Sequence, residues 1–240
     1  MKILVTNDDG IGACGIRILA ETARDFGETI VIAPSVQKSA NSHCITLNKP
    51  MKIEKIDMGI DGVQAYSLDG SPADCVRASY LGLFDRMEEP DIVFSGVNDG
   101  ANCGFDILYS ATVGAAMEAV LYDKKAICFS QMHGNNDEVL RKYIKEIAGE
   151  LINCDAGKGS AWNVNFPSCG LDNYKGILYD RFPAHEAFFD DHYIKKTGED
   201  ENEYVEMESK TVTNAEEGTD IRALLDGYIS IGTVRNMVLI

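Results

Sequence analysis

The 240-residue sequence holds seven cysteines but no Cys-x-x-Cys pair, and its four histidines, at 43, 133, 185 and 192, form no cluster. Structural zinc sites need such spacing, so zinc is disfavoured and the thiols read as buried or incidental groups in a reducing compartment. No apolar run approaches the ~20 residues of a membrane span, and the chain starts on a strand pattern instead of a charged and then apolar leader. The expectation is a cytoplasmic protein with no membrane partner. Positive charge is scarce as well: 22 Lys and Arg stand against 38 Asp and Glu, a net charge of −16. Duplex nucleic acid, which is bound by neutralising phosphates with Lys and Arg, is therefore excluded as a partner. Any anionic substrate needs a local source of positive charge. Repeats and low-complexity tracts are also missing.

What is present is a 45% hydrophobic chain, enough for one large α/β domain or a domain with an appendage. "KILVT" reads as a strand, residues 14–26 as a helix with Ile16, Leu19, Ala20 and Ala23 at helical spacing, and "TIVIA" as a second buried strand. Strand, helix, strand in that order predicts a right-handed crossover and a parallel sheet. Residues 45–56 and 63–68 read as further strands. Residues 69–84 start a helix with Ser71 as N-cap, Pro72 in the first turn and Asp74 completing a capping box. "PDIVFSG" and "KAICFSQ" are strands flanking a helix that begins near Thr112, and residues 136–152 form an amphipathic helix. Beyond about Asn173 short strand candidates are separated by the acidic run "KKTGEDENEYVEMESK", a solvated hairpin or loop, before a helix at 219–227 and a strand at 228–234.

The polar residues collect just after strands, where an open α/β sheet binds its ligands. The first strand delivers Asn7, Asp8 and Asp9. The second delivers the long loop "PSVQKSANSHC" with Ser39, Asn41 and Ser42, and a third delivers Asn98, Asp99 and Asn102. All are oxygen donors, which suit a hard cation such as Mg²⁺ or Mn²⁺. Three readings of "VTNDDGIGACG" compete. Its G-x-G-x-x-G follows a strand and opens a helix, as a dinucleotide loop does. Against this, two unit charges about 4 Å apart repel by roughly 4 kcal/mol at an effective dielectric of about 20, a repulsion Asp8 and Asp9 would impose on any pyrophosphate. The second strand also ends in Pro34-Ser35, with no acid to hold a ribose. The other readings are a plain turn and a cation site. Ser110 and Thr112 sit where a helix N-terminus can hold a phosphate, and ordinary capping explains them almost as well. The D-x-D spacing of enzymes that form an aspartyl phosphate is absent.

Five segments, "ILVTNDDGIGACGI", "KSANSHCIT", "GSPADCV", "SGVNDGANCGFDILYSATVGAAME" and "TDIRALLDGYISI", resemble in order and spacing the signature segments of the SurE (survival protein E) family of metal-dependent nucleotidases. The resemblance runs from residue 2 to about 232. It implies a Rossmann-like, doubly wound and mostly parallel sheet, with residues 1–172 as the nucleotidase core and 173–240 as a C-terminal hairpin and helix extension that pairs subunits. It also implies hydrolysis of nucleoside 5′- and 3′-monophosphates, short polyphosphate as a further substrate, and a homodimer or dimer of dimers. The implied metal ligands are Asp8, Asp9, Ser39 and Asn98, holding one divalent cation per subunit. Asp8, Asp9 and Asn98 are the expected catalytic residues, with Asn41, Asn102, Ser110 and Thr112 at the substrate phosphate. Three departures stand out: Gly12-Ala13-Cys14 where members often have His-Ala-Pro, Ala111 for Gly in Y-S-G-T-V, and Ser230-Ile231-Gly232-Thr233-Val234 for S-I-T-P-L.

Overall fold

Buried strand runs that alternate with amphipathic helices bury their apolar faces by stacking helices on both sides of one sheet. The computed structural model, which describes residues 1–83, 89–236 and 239, has this architecture. Its strands are β1 (Lys2–Thr6), β2 (Glu28–Pro34), β3 (Ile53–Ile56), β4 (Val63–Leu68), β5 (Ile92–Asp99), β6 (Lys125–Gln131), β7 (Ser160–Phe166) and β8 (Gly176–Arg181). Next come β9 (Phe189–Thr197) and β10 (Glu203–Thr211), a separate antiparallel hairpin, and then β11 (Tyr228–Arg235). The main sheet has the order β3-β4-β2-β1-β5-β6-β7-β11-β8. Strands β4, β2, β1, β5, β6 and β7 are parallel, and β11 enters antiparallel to β7 and parallel to β8.

The two-residue period of the strands sorts the core. Ile3 and Val5 face α1 (Cys14–Ala23) and α4 (Glu138–Leu151), where they meet Ile16, Leu19 and Ile144. Leu4 faces the other way, into a cluster with Val76 of α2 (Pro72–Tyr80) and Ala116 of α3 (Ala111–Leu121). A third cluster joins Ala101 and Cys103 to Phe188 and to Ile221 and Leu224 of α5 (Asp220–Leu225). No described helix is long and apolar enough to cross a membrane.

Several elements differ from the sequence reading. Residues 45–52 form no strand, and the α2 N-terminus holds the start of the segment: the Asp74 carboxylate accepts from Thr46 N, and Ser71 Oγ donates to the carbonyl of the preceding Cys44. The capping box at Ser71 and Asp74 is present. The expected end of that helix at Phe84 lies outside the described residues. Helix α1 stops at Ala23, where the amides of Asp25 and Phe26 turn back to the carbonyls of Thr22 and Ala23. Strand β5 runs on through Asp99 into what reads as loop, and β7 has no counterpart in the sequence reading. The acidic run, by contrast, is the solvated hairpin of the sequence reading: it spans the end of β9 and nearly all of β10, which is exposed along its whole length.

The carboxyl end of β1 fixes where a ligand can sit. The chain crosses from β1 to β2 on one side and places β5 on the other, so the strand order reverses at β1 and a crevice opens beyond its carboxyl end. Helix α1 closes tightly on β5 there. A Cβ added to Gly15 would lie 2.0 Å from the Val97 carbonyl oxygen, whereas one added to Gly12 would meet nothing within 4 Å. Gly15→Ala is therefore expected to cost roughly 3 kcal/mol through overpacking. Gly12→Ala should stay within about 0.5 kcal/mol of the parent. Chemical denaturation of the two variants checks both.

Candidate active site

The N-D-D-G segment is a turn closed by its own first side chain. Asn7 Oδ1 accepts from Gly10 N at 3.2 Å, and Asn7 Nδ2 donates to the Gly10 carbonyl at 3.0 Å. Gly10 has φ +93°, a conformation that side chains rarely adopt, and its flank is anchored by Ile11 N on the Pro34 carbonyl at 2.9 Å. The three glycines of G-x-G-x-x-G thus serve separate ends: Gly10 turns the chain, Gly15 lets α1 approach β5, and Gly12 faces open space. Two carboxylates stand where a pyrophosphate would have to enter.

Asp8 is buried. Its Oδ1 accepts the Thr112 hydroxyl at 2.6 Å, which ties the end of β1 to the first turn of α3. Burial raises its pKa to about 6, with the negative charge of Asp9 adding to the rise and the Thr112 hydrogen bond opposing it. Asp9 is half-buried, and burial raises its pKa too, against the hydrogen bond from Asp99. Its Oδ2 accepts Asp99 N at 3.1 Å and its Oδ1 accepts Gln37 Nε2 at 3.3 Å. Gln37 Nε2 also donates to Ser39 Oγ at 3.0 Å, so one amide joins Asp9 to the Ser39 loop. Asn98 uses its Nδ2 on the Gly100 carbonyl at 2.7 Å. It lines a cleft of about 430 Å³ together with Asp9, Gln37 and Asp99.

The remaining predicted residues are placed as follows. Asn41 closes its own loop, donating from Nδ2 to the carbonyls of Lys38 at 2.7 Å and Ser39 at 3.2 Å. Ser110 is the N-cap of α3: its Oγ accepts Val113 N at 3.1 Å and keeps its own proton to donate. Thr112 spends its hydroxyl proton on Asp8. Asn102 is buried in a side-chain network, with Nδ2 on Ser130 Oγ at 2.7 Å, N on Asn165 Oδ1 at 2.8 Å and its carbonyl accepting from Asn163 and Asn165. The donors that a phosphate would need from Asn102 are engaged within the fold.

Three participants escape sequence reasoning. Gln37 sits among other polar residues of a long loop, with nothing in its neighbours to single it out. His133 Nδ1 lies 2.8 Å from Asp99 Oδ1, at the rim of the cleft. His43 Nε2 lies 2.7 Å from Glu118 Oε2 and so fastens the Ser39 loop to α3. Glu118 is a buried acid in the apolar helix run "VGAAMEAV", a signal the sequence does carry. Burial pushes its pKa up, but hydrogen bonds from His43, Tyr122 and Arg77 outweigh this and hold it below the usual range.

A family model described as survival protein SurE matches residues 3–187. The chain belongs to the SurE family. It is 34% identical over 234 residues to the 5′-nucleotidase SurE of Alkaliphilus metalliredigens, covering 96% of this chain and 91% of that protein. It is 37% identical over 237 residues to the 5′-nucleotidase SurE of a Thermoanaerobacter species, covering 96% and 90%. The crystal structure of the SurE protein from Aquifex aeolicus superposes with a TM-score of 0.82 at 32% identity, over 98% of this chain and 93% of that one. The SurE likeness thus extends through the C-terminal hairpin to the last strand.

The raised pKa of Asp8 has a sign that can be measured. The folded protein holds this proton more tightly than the unfolded chain, so in chelator the ionised carboxylate costs stability once the pH exceeds the unfolded value of 3.8, and the full cost is present above about 6. That difference corresponds to about 3 kcal/mol. Asp8→Asn should therefore stabilise the metal-free protein by up to this amount at pH 8 and leave it unchanged near pH 3.5, as urea melts at the two pH values will read.

Proposed function

We propose that the chain is a cytoplasmic, divalent-cation-dependent phosphomonoesterase that releases phosphate from nucleoside 5′-monophosphates, with 3′-monophosphates and short polyphosphate as further substrates. One observation carries this reading: two adjacent carboxylates after β1, Asp8 and Asp9, both have pKa values raised by burial, and Asp9 is joined through Gln37 to Ser39 and lines a cleft with Asn98. The names of the relatives support the nucleotidase activity. Asp8, Asp9, Ser39 and Asn98 supply two carboxylates, a hydroxyl and an amide oxygen, an all-oxygen set that suits a hard cation, and among the described residues no third His, Cys, Asp or Glu joins the pair.

Asp8, Asp9, Ser39 and Asn98 would hold that cation, one per subunit. When bound, Mg²⁺ or Mn²⁺ offsets the carboxylate charge, polarises the phosphoryl oxygens and acidifies water beside them. The rest of the work falls to the chain. Thr112 fixes the orientation of Asp8, and Gln37 and the Asp99 amide fix that of Asp9. Asp9, with its raised pKa, accepts the proton of the attacking water. The Ser110 hydroxyl and the N–H groups at the start of α3 hold the phosphate, with Asn41 shaping the loop opposite and Asn102 bracing the segment that leads to them.

The C-terminal extension is proposed to pair subunits as a homodimer or dimer of dimers. Support comes from its hairpin, where Tyr193 of β9 faces Met207 of β10, Val205 lies two residues along the same face, and all three are exposed. Val205→Asp with Met207→Asp should lower the mass in sedimentation equilibrium to that of one chain.

The activity itself is tested by phosphate release from a panel of nucleoside monophosphates with Mg²⁺ or Mn²⁺ and then with excess chelator. Release that needs the metal, and that falls by roughly 10²- to 10⁴-fold in Asp9→Asn, is the expected result. No release with any metal would sink the proposal and favour a noncatalytic nucleotide-binding module.

A further inference from the structure

The segment that delivers Ser110 is only half built by the core. Between β5 and α3 the chain makes a short 3-10 turn, Phe105–Leu108, and its backbone is clamped from the side of the C-terminal extension. Phe105 N donates to the Glu186 carbonyl at 2.9 Å, and Gly104 forms an isolated antiparallel bridge with Ala187. The approach is close: a Cβ on Gly104 would lie 2.1 Å from the Glu186 oxygen. Asp106 Oδ2 accepts two successive amides of the extension, Phe188 N at 2.7 Å and Phe189 N at 3.2 Å. Phe189 is the first residue of β9, so this carboxylate grips the root of the hairpin.

The other side of the turn faces the candidate site. Tyr109 N donates to the Asp106 carbonyl at 3.0 Å, and the next residue is the α3 N-cap, Ser110. The Leu108 and Tyr109 carbonyls accept from Ser42, from its Oγ at 2.7 Å and its N at 2.9 Å respectively. Ser42 belongs to the loop that carries Ser39. A single 3-10 turn thus touches the hairpin root, the phosphate end of α3 and the Ser39 loop. It has few internal bonds of its own with which to hold that position.

We infer that Asp106 is a positioning residue for phosphoryl hydrolysis: its one oxygen, shared by two backbone amides, fixes the turn against the hairpin root and thereby sets both Ser110 and the Ser39 loop. The inference rests on the proposed phosphomonoesterase reading. Asp106 has no part in substrate contact, and no cationic side chain is hydrogen-bonded or ion-paired to it among the described residues. Its function therefore depends on an acceptor at that point and not on its charge. An asparagine carbonyl can occupy the same place, whereas alanine offers no acceptor, and a glutamate, one methylene longer, is displaced from both amides.

The test uses the full chain with Mg²⁺ or Mn²⁺ and compares Asp106→Asn, Asp106→Ala and Asp106→Glu. Asp106→Asn should keep kcat within about threefold of the parent, and Asp106→Ala should lower kcat by about 10- to 100-fold, the loss that misplacing a remote support produces. Equal kcat in Asp106→Ala and the parent overturns the inference, as does equal loss in Asp106→Ala and Asp106→Asn. Where Asp106→Ala does not fold, the Asn and Glu variants carry the comparison, and equal activity in those two overturns it. Amide hydrogen exchange keeps the result separate from the proposed activity. In the Ala variant, or the Glu variant in its place, exchange should speed up in residues 186–189 and also in 41–44 and 108–113. Acceleration confined to 186–189 overturns the inference even in a protein that releases no phosphate.

Discussion

Two neighbouring carboxylates, one of them buried, have to be held ionisable at the end of a strand with no cationic side chain bonded to them among the described residues. That cost shapes what surrounds them. Asn7 closes the turn so that both side chains project from a fixed backbone, and Thr112 meets Asp8 from a helix that starts more than a hundred residues later. Gln37, from the loop after β2, and the Asp99 amide, at the end of β5, meet Asp9 from either side of β1. Each contact is a hydrogen-bond donor, which suits a carboxylate, and none supplies a full positive charge. An arrangement of that kind leaves the pair short of compensation, and a divalent cation is the natural group to provide it.

The sheet order explains why these partners converge. Because β1 lies between β2 and β5, the loops that leave all three strands open onto the same crevice, and α3 returns over it from β5. Residues 8, 37 and 98 are far apart in the chain but lie at or just beyond the ends of three adjacent strands, and Thr112 of α3 reaches Asp8 directly. The core supports the same geometry. Leu4 and Val5 are anchored in opposite apolar layers, which leaves the strand little freedom to slide and so fixes where Asp8 and Asp9 emerge.

Much of this was legible in the sequence, and the unread parts have common causes. β1, β2, β5 and β6 are continuous apolar runs, and a strand buried on both faces needs no subtler signal. The capping box at Ser71 was readable because its spacing is local. β7 was not, because Asn163 and Asn165 break its apolar run; those amides are spent on Asn102, a partner about sixty residues away. Residues 45–52 carry strand propensity, yet the start of the segment is held by Asp74 on Thr46 N and by Ser71 on the preceding Cys44 carbonyl, tertiary contacts that outweigh propensity. The oxygen donors of the site could be named because they follow strands. The roles of Gln37, His43 and His133 depend on partners that only the folded chain supplies.

The position of β11 bears on how the molecule is made. It fills the gap between β7 and β8, and among the described residues β8 has no other neighbour in the sheet. During synthesis the first seven strands can emerge and pair while β7 still presents an open, apolar edge. β8, already outside the ribosome, has nowhere to dock. The edge stays uncovered until residues 228–235 leave the exit tunnel, and an uncovered edge is a template for pairing with another nascent chain. Ribosomes that stall within the preceding hairpin would thus release a chain whose candidate site is nearly assembled and whose sheet is still adhesive.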